Sequence, residues 1–207
     1  MRVIKFGGTS IGTPERFLDV AKIISKKSAD EFSIVVLSAI GGITDKILDA
    51  IDKAGSGNQD YLRNFELIKS VHYNFLSQTV KADYQKATLQ QINNLLNKLN
   101  EKLNGIFLLN ECSNRISDSI VTYGEYLSST LMAGALKSIG KDSEFQDARN
   151  LIRTNSLFGD AEVNFEATEK LLQEWYEGLN KNQIAIVNGF TGSDKNGHIT
   201  TLGRSGS

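Results

Sequence analysis

Lys5 closes a short apolar strand, Val3-Ile4-Lys5-Phe6, and runs straight into Gly7-Gly8-Thr9-Ser10-Ile11-Gly12. A helix-start signal, Thr13-Pro14-Glu15, follows at once. A lysine at a strand end, then glycines, hydroxyls and a helix N-terminus, could hold a phosphate. Backbone N–H groups beside glycines approach anionic oxygens closely because no Cβ intervenes, and the lysine adds a full positive charge. The segment is neither a Walker A loop nor a dinucleotide fingerprint, since it lacks G-K-[ST] and the G-x-G-x-x-G spacing. The same residues also suit an ordinary strand-to-helix turn with a solvated lysine, and both readings stand at this point.

The other reactive residue types are sparse. A single cysteine, Cys112, excludes an intramolecular disulfide and fits a reducing cytoplasm. Nothing near it in sequence would lower its pKa, so it reads as a small buried hydrophobe rather than a nucleophile. The two histidines, His72 and His198, are far apart. The spacing predicts His72 on a helix surface and His198 exposed beside a turn. A zinc site of the usual His/Cys type is therefore not expected, and no metal ligands are assigned.

The elements that must position Lys5 follow from the hydrophobic pattern. Thr13 suits an N-cap, Pro14 the first helical position and Glu15 the positive helix end. Phe17, Val20, Ala21 and Ile24 recur at helical spacing. Ser33-Ile34-Val35-Val36-Leu37 reads as a buried central strand of a parallel sheet. It too ends in a hydroxyl and glycines, Ser38-Ala39-Ile40-Gly41-Gly42, before Thr44 opens a helix with Ile47, Leu48 and Ile51. Strand, Gly/Ser loop and helix thus occur twice in about fifty residues, which argues for βαβ units and an α/β class. Ligands of such sheets bind beyond the C-terminal strand ends, where both loops would lie.

From Asn58 to Asn104 the chain is polar, asparagine-rich and helical in period, with Leu89, Ile92, Leu95, Leu96 and Leu99 in one stripe. These helices are expected against the sheet or a partner subunit, with Gly105-Ile106-Phe107-Leu108-Leu109 as a connector. Arg115 to Lys137 reads as one long helix whose small residues (Ser128, Ser129, Ala133, Gly134, Ala135) allow close packing. Ser143 to Asp147 and Ile152 to Thr154 read as short strands, Phe165 to Leu179 as a helix, and Ile184-Ala185-Ile186-Val187 as a buried strand. Asp194-Lys195-Asn196-Gly197 is a hairpin turn signal. A third glycine/hydroxyl run, Thr201-Leu202-Gly203-Arg204-Ser205-Gly206-Ser207, closes the sequence.

The bulk properties agree with one compact domain. The chain has 207 residues, 40% hydrophobic and 23% charged, enough for a sizeable core. A formal net charge of −1 gives no electrostatic argument for nucleic acid or an anionic membrane. No apolar run approaches the roughly 20 residues of a transmembrane helix, and the N-terminus does not read as a signal peptide. The expectation is a cytoplasmic protein.

Four segments carry a resemblance. Lys5-Phe6-Gly7-Gly8-Thr9-Ser10 resembles the opening signature of aspartokinases. Val36-Leu37-Ser38-Ala39-Ile40-Gly41-Gly42-Ile43-Thr44, Gly124-Glu125-Tyr126-Leu127-Ser128, and Gly189-Phe190-Thr191-Gly192 through Thr201 to Ser207 match that family in order. The run from Gly105 to Cys112 and Leu131-Met132-Ala133-Gly134-Ala135-Leu136 are most similar to the kinase part of bifunctional aspartokinase/homoserine dehydrogenases. The resemblance implies the amino-acid-kinase fold, a three-layer sandwich with a mostly parallel central sheet, here truncated on its C-terminal side. It implies ATP- and Mg²⁺-dependent phosphorylation of the side-chain carboxylate of L-aspartate, giving 4-phospho-L-aspartate for lysine, threonine and methionine synthesis. Lys5 would contact the transferring phosphoryl group, and Gly7, Gly8, Thr9 and Ser10 would line the phosphate pocket. Ser38 and Thr44 would lie near the acceptor. Glu125 would bind the aspartate amino group, Arg204 a carboxylate, and Ser207 would complete that pocket. The intact protein would be a homo-oligomer, with the Asn58 to Asn104 helices as a candidate interface.

Ser205 departs from the glycine commoner at that place in the family. The family motif continues with an aspartate directly after Ser207, then with the nucleotide-binding half. Residues 1–207 would therefore be the N-terminal, aspartate- and phosphate-binding part of the catalytic domain. The nucleotide-binding half, the regulatory ACT modules and any dehydrogenase domain would be absent, leaving a fragment with little or no activity. Two other functions are carried forward. One is an enzyme of the same fold acting on glutamate, carbamate or a nucleoside monophosphate; paired Glu125 and Arg204 favour an amino-acid zwitterion over these. The other is a non-catalytic aspartate-binding or oligomerisation module.

Overall fold

The computed structural model describes residues 1–29 and 31–203. Four parallel strands form the central sheet: β1 (Arg2–Phe6), β2 (Ser33–Leu37), β3 (Ser143–Gln146) and β4 (Ile184–Asn188), in the order β1-β2-β4-β3. The register places Phe6 beside Leu37 and Leu37 beside Asn188, so these three strands end together on one edge. The continuous apolar runs predicted as central strands are central, because both sheet faces are covered. Val35, Leu37, Ile184 and Ile186 belong to the large core on one face, while Ile34, Ala185 and Val187 belong to a smaller core on the other.

The large core packs beneath α1 (Pro14–Lys27), α2 (Ile43–Gly55) and α6 (Tyr123–Ser138). Thr13 caps α1 by accepting from the Arg16 N–H at 3.3 Å, with Pro14 at the first position. In α6 every residue but Lys137 is buried, and its small residues permit that. A Cβ on Gly124 would stand 2.8 Å from the Ala39 Cβ, and one on Gly134 2.6 Å from the Thr88 Oγ1. The smaller core lies beneath α7 (Phe165–Gly178) and the segment around Ala148 and Leu151. An antiparallel hairpin, β5 (Thr191–Ser193) and β6 (Ile199–Thr201), follows β4, as its turn signal predicted.

Several expectations are corrected. α3 (Tyr61–Thr79) and α4 (Ala82–Leu109) pack on α1, α2 and α6 as an outer helical layer rather than on the sheet. Residues 105–109 are the last turn of α4, not a connector. Leu103 and Ile106 extend the buried stripe of Ile92, Leu96 and Leu99, and Asn110 in the left-handed region (φ 51°) ends the helix. The predicted helix from Arg115 to Lys137 is two helices, α5 (Asn114–Val121) and α6, interrupted at Thr122 where α5 turns to pack on β6. Ile152 to Thr154 forms no strand. Arg153 and Thr154 make only isolated bridges, and the Arg153 N–H is taken by the Thr168 hydroxyl at 3.0 Å instead of a ladder partner. His72 is fully buried, not on a helix surface, because α3 is covered on two sides. Its Nδ1 lies 2.6 Å from the Ile68 carbonyl, and burial pushes the imidazole down to about 4. Cys112 is partly buried, and burial raises its thiol pKa, as befits an inert cysteine.

Candidate active site

The C-terminal ends of β1, β2 and β4 open into a cleft of about 600 Å³. Three loops shape it, and packing between loops determines two of their glycines. A Cβ on Gly8 would meet the Ala39 carbonyl oxygen at 2.8 Å, and one on Gly41 would meet the Gly8 carbonyl oxygen at 3.2 Å. The loops after β1 and β2 therefore touch, which holds both against one cavity. Gly42, with φ +79°, supplies the left-handed residue that starts α2.

Lys5, Gly8, Thr9, Ser38, Thr44 and Glu125 all line this cleft. They come from β1, two loops and two helices, and are brought together only by the sheet register and the seating of α6. Gly7 and Ser10 do not line it. They belong to the 3-10 turn at residues 8–11 and its entry, where the Ser10 N–H donates to the Gly7 carbonyl at 3.0 Å. Arg204 and Ser207 lie outside the described residues.

Ser38 is held by its backbone. Its N–H donates to the Phe6 carbonyl at 3.2 Å, and its own carbonyl accepts from the Ser128 hydroxyl at 2.8 Å. Glu125, on the first turn of α6, is 3% exposed. Its Oε1 accepts from the Ala39 N–H at 3.2 Å, whereas Oε2 is buried without a hydrogen-bond partner. Burial drives the carboxyl up to about 8, against the opposing pull of the Ala39 N–H and its own N–H. An unsatisfied buried carboxylate oxygen on the wall of a cavity is a ready receptor for a cation or a hydrogen-bond donor.

Two further residues of the wall were given no role in the sequence reading. Phe190 lines the cleft with φ +67°, a strained conformation for a large side chain. Asp118 of α5 is buried and accepts from the N–H groups of Gly159 and Thr201 and from the Thr201 hydroxyl. Burial raises its carboxyl, and those donors oppose the rise. Asp118 carries no local signal, since it meets partners 41 and 83 positions away, whereas Phe190 lies in the Gly189-to-Gly192 motif without a role assigned to it. His198, expected exposed, is half-buried. Its Nδ1 lies 3.2 Å from Asp194 Oδ2 and its Nε2 3.1 Å from Arg115 Nη1.

The model of the Amino acid kinase family matches residues 1–207. Among curated proteins, the chain is 31% identical over 208 residues to bifunctional aspartokinase/homoserine dehydrogenase 1 of Arabidopsis thaliana, covering 99% of this chain and 22% of that protein. It is 34% identical to aspartokinase 3 of the same plant, covering 99% of this chain and 36% of that one. Among solved structures, Escherichia coli aspartokinase III in complex with lysine and aspartate superposes with a TM-score of 0.88 at 27% identity, covering all of this chain and 44% of that one. The same enzyme in complex with aspartate and ADP gives 0.84. The chain thus spans less than half the length of these relatives.

Proposed function

The chain belongs to the amino acid kinase family, and we propose that its cleft binds L-aspartate and takes part in ATP-dependent phosphorylation of the aspartate side-chain carboxylate. The reaction is proposed for a polypeptide of the relatives' length that contains these residues, because the chain spans 22% to 36% of the curated relatives above. The 207-residue chain by itself is proposed to bind the acceptor and to turn over little. The observation that carries the reading is Glu125: a buried carboxylate whose second oxygen has no partner, on the wall of the cleft that also holds Lys5. One solved relative, in two complexes that both contain aspartate, one of them with ADP, supports it.

A side-chain carboxylate is already ionised at neutral pH, so the acceptor needs no general base. One carboxylate oxygen bonds to the γ-phosphorus of ATP, the bond to the β,γ-bridging oxygen breaks, and that oxygen leaves with the electron pair. No proton has to move. The barrier is the approach of an anion to a polyanion, so the protein's work is positioning and charge neutralisation. Lys5 supplies positive charge at the phosphoryl group. Gly8 and Thr9, with the Gly41-Gly42 turn, form the floor of the phosphate side. Glu125 takes the acceptor ammonium, and the Ser38 and Thr44 hydroxyls orient its carboxylates. Among the described residues no group of three or more His, Cys, Asp or Glu side chains could hold a metal ion. Mg²⁺ would therefore arrive on the ATP phosphates rather than in a three-ligand protein cage, and there it would neutralise phosphate charge.

The test is ATP-dependent acyl phosphate trapped as a hydroxamate. Aspartate, glutamate and no acceptor are offered in parallel to the longer polypeptide. Hydroxamate with aspartate alone is the expected result; hydroxamate with glutamate, or none from folded protein with Mg²⁺ present, would overturn the acceptor assignment.

A further inference from the structure

The cleft wall contains two buried carboxylates, and their surroundings set them apart. Glu125 has one inter-residue donor and an idle oxygen. Asp118 is equally buried, at 3% exposure, but both of its oxygens are committed. Oδ2 accepts from the Gly159 N–H at 2.9 Å and the Thr201 N–H at 2.9 Å, and Oδ1 accepts from the Thr201 hydroxyl at 2.9 Å. The three donors come from the loop before Asp160 and from the end of β6, so one side chain joins three segments. Gly159, Thr201 and Gly203 line the cleft together with Asp118.

Building on the acceptor-site reading above, we propose that Asp118 is a positioning residue that fixes the Thr201–Gly203 run as the far wall of the acceptor site. Thr201 is held at every polar atom it has. Its N–H and hydroxyl go to Asp118, and its carbonyl accepts from the Ala161 N–H at 2.8 Å. A second tether from the same helix acts higher on the hairpin. Arg115, one turn earlier on α5, reaches His198 at 3.1 Å, and His198 in turn reaches Asp194 at 3.2 Å. The helix and the hairpin are therefore tied at two places. Both oxygens of Asp118 already have donors, so its effect on binding passes through Thr201 and Gly159.

The geometry supplies a conservative variant. In Asp118→Asn the amide oxygen can accept from both N–H groups, while the amide nitrogen donates to the Thr201 hydroxyl, which then acts as acceptor. Asp118→Leu keeps the approximate size and leaves all three donors unpaired. The 207-residue chain is measured in two ways: aspartate titration, and hydrogen exchange at the Thr201 and Gly159 amides, with α1 amides as the fold control. Asp118→Leu is expected to lose about tenfold or more in both amide protection and aspartate affinity, with α1 unchanged. Asp118→Asn is expected to stay within about threefold of the parent in both. Should Asp118→Leu not fold, Thr201→Ser and Thr201→Val replace it, and the valine variant is expected to bind aspartate more weakly than the serine one.

Unchanged protection in Asp118→Leu, or equal affinity of the two Thr201 variants, overturns the proposal. So does an Asp118→Asn that keeps protection yet loses affinity like the leucine variant, since that would mean the charge acts on ligand directly. If the parent chain binds no aspartate, the acceptor reading fails by itself, and amide exchange still decides whether Asp118 holds the wall.

Discussion

Glu125 and Lys5 line the same cleft, and each makes a separable prediction. In the longer kinase, Lys5→Ala should lower kcat by about 100-fold or more while aspartate affinity changes little, because a charge aimed at the phosphoryl group acts mainly in the transition state. Equal kcat would remove Lys5 from the chemistry. Glu125 predicts a proton-linked affinity. In the ligand-free protein its carboxyl sits at about 8 because it is buried, so it is protonated through neutrality. A bound ammonium favours the carboxylate, so binding releases a proton below about pH 8. Affinity should then rise about tenfold per pH unit up to that point and level off above it. Calorimetry in buffers of different ionisation enthalpy would count the released proton, and Glu125→Gln should abolish both the release and the slope. The same group tilts stability. Its folded pKa lies above the ordinary 4.5, so the folded state holds the extra proton and ligand-free stability falls as pH rises from about 4.5 to 8.

At the scale of elements, α6 and α3 set the site's position and its acid tolerance. Gly124 lets α6 approach the loop after β2 closely enough for the Ala39 N–H to reach Glu125. Gly124→Ala should therefore cost about 1–3 kcal/mol in urea denaturation despite its better helix propensity, and weaken aspartate binding as well, because the displaced atom is the Ala39 Cβ. In α3, His72 is buried neutral, with its pKa depressed from 6.5 to about 4 by burial. The unfolded chain binds that proton first, so stability is intact above about pH 6.5 and falls as pH drops towards 4, at up to roughly 1.4 kcal/mol per pH unit. A His72→Phe variant should flatten this acid limb in thermal melts collected from pH 7 to 4; a limb of unchanged slope would assign it to other groups.

For the molecule as a whole, α6 is the hub. It touches β2, β3 and β4 on the sheet side and α1, α3 and α4 on the other. Leu131 at its centre is fully buried, so Leu131→Ala should cost about 2–5 kcal/mol. Denaturation followed separately by circular dichroism and tryptophan fluorescence should shift together, since the sheet and both helical layers share this helix. Among the described residues no helix is long and apolar enough to cross a membrane.

The sequence by itself determined the parallel αβ frame and the place of the cleft. Buried parallel strands are near-continuous apolar runs, and turns that need glycine show it locally. That is why β1, β2, β4 and the loops at Gly7 to Gly12 and Ser38 to Gly42 were all legible. The resemblance of four ordered motifs carried the family and named Lys5, Gly8, Thr9, Ser38, Thr44 and Glu125, all of which line the cleft. Tertiary structure decided what depends on distant partners. It buried His72 by covering α3 on two sides, and it ended α5 at Thr122 where the helix turns to the hairpin. It replaced a predicted strand at Ile152 with a backbone N–H given to Thr168. It also gave two buried carboxylates opposite circumstances, Asp118 fully engaged and Glu125 with an idle oxygen. Spacing along a chain records periodicity and turn chemistry, whereas the number of donors reaching a buried oxygen is a property of segments that meet only after folding.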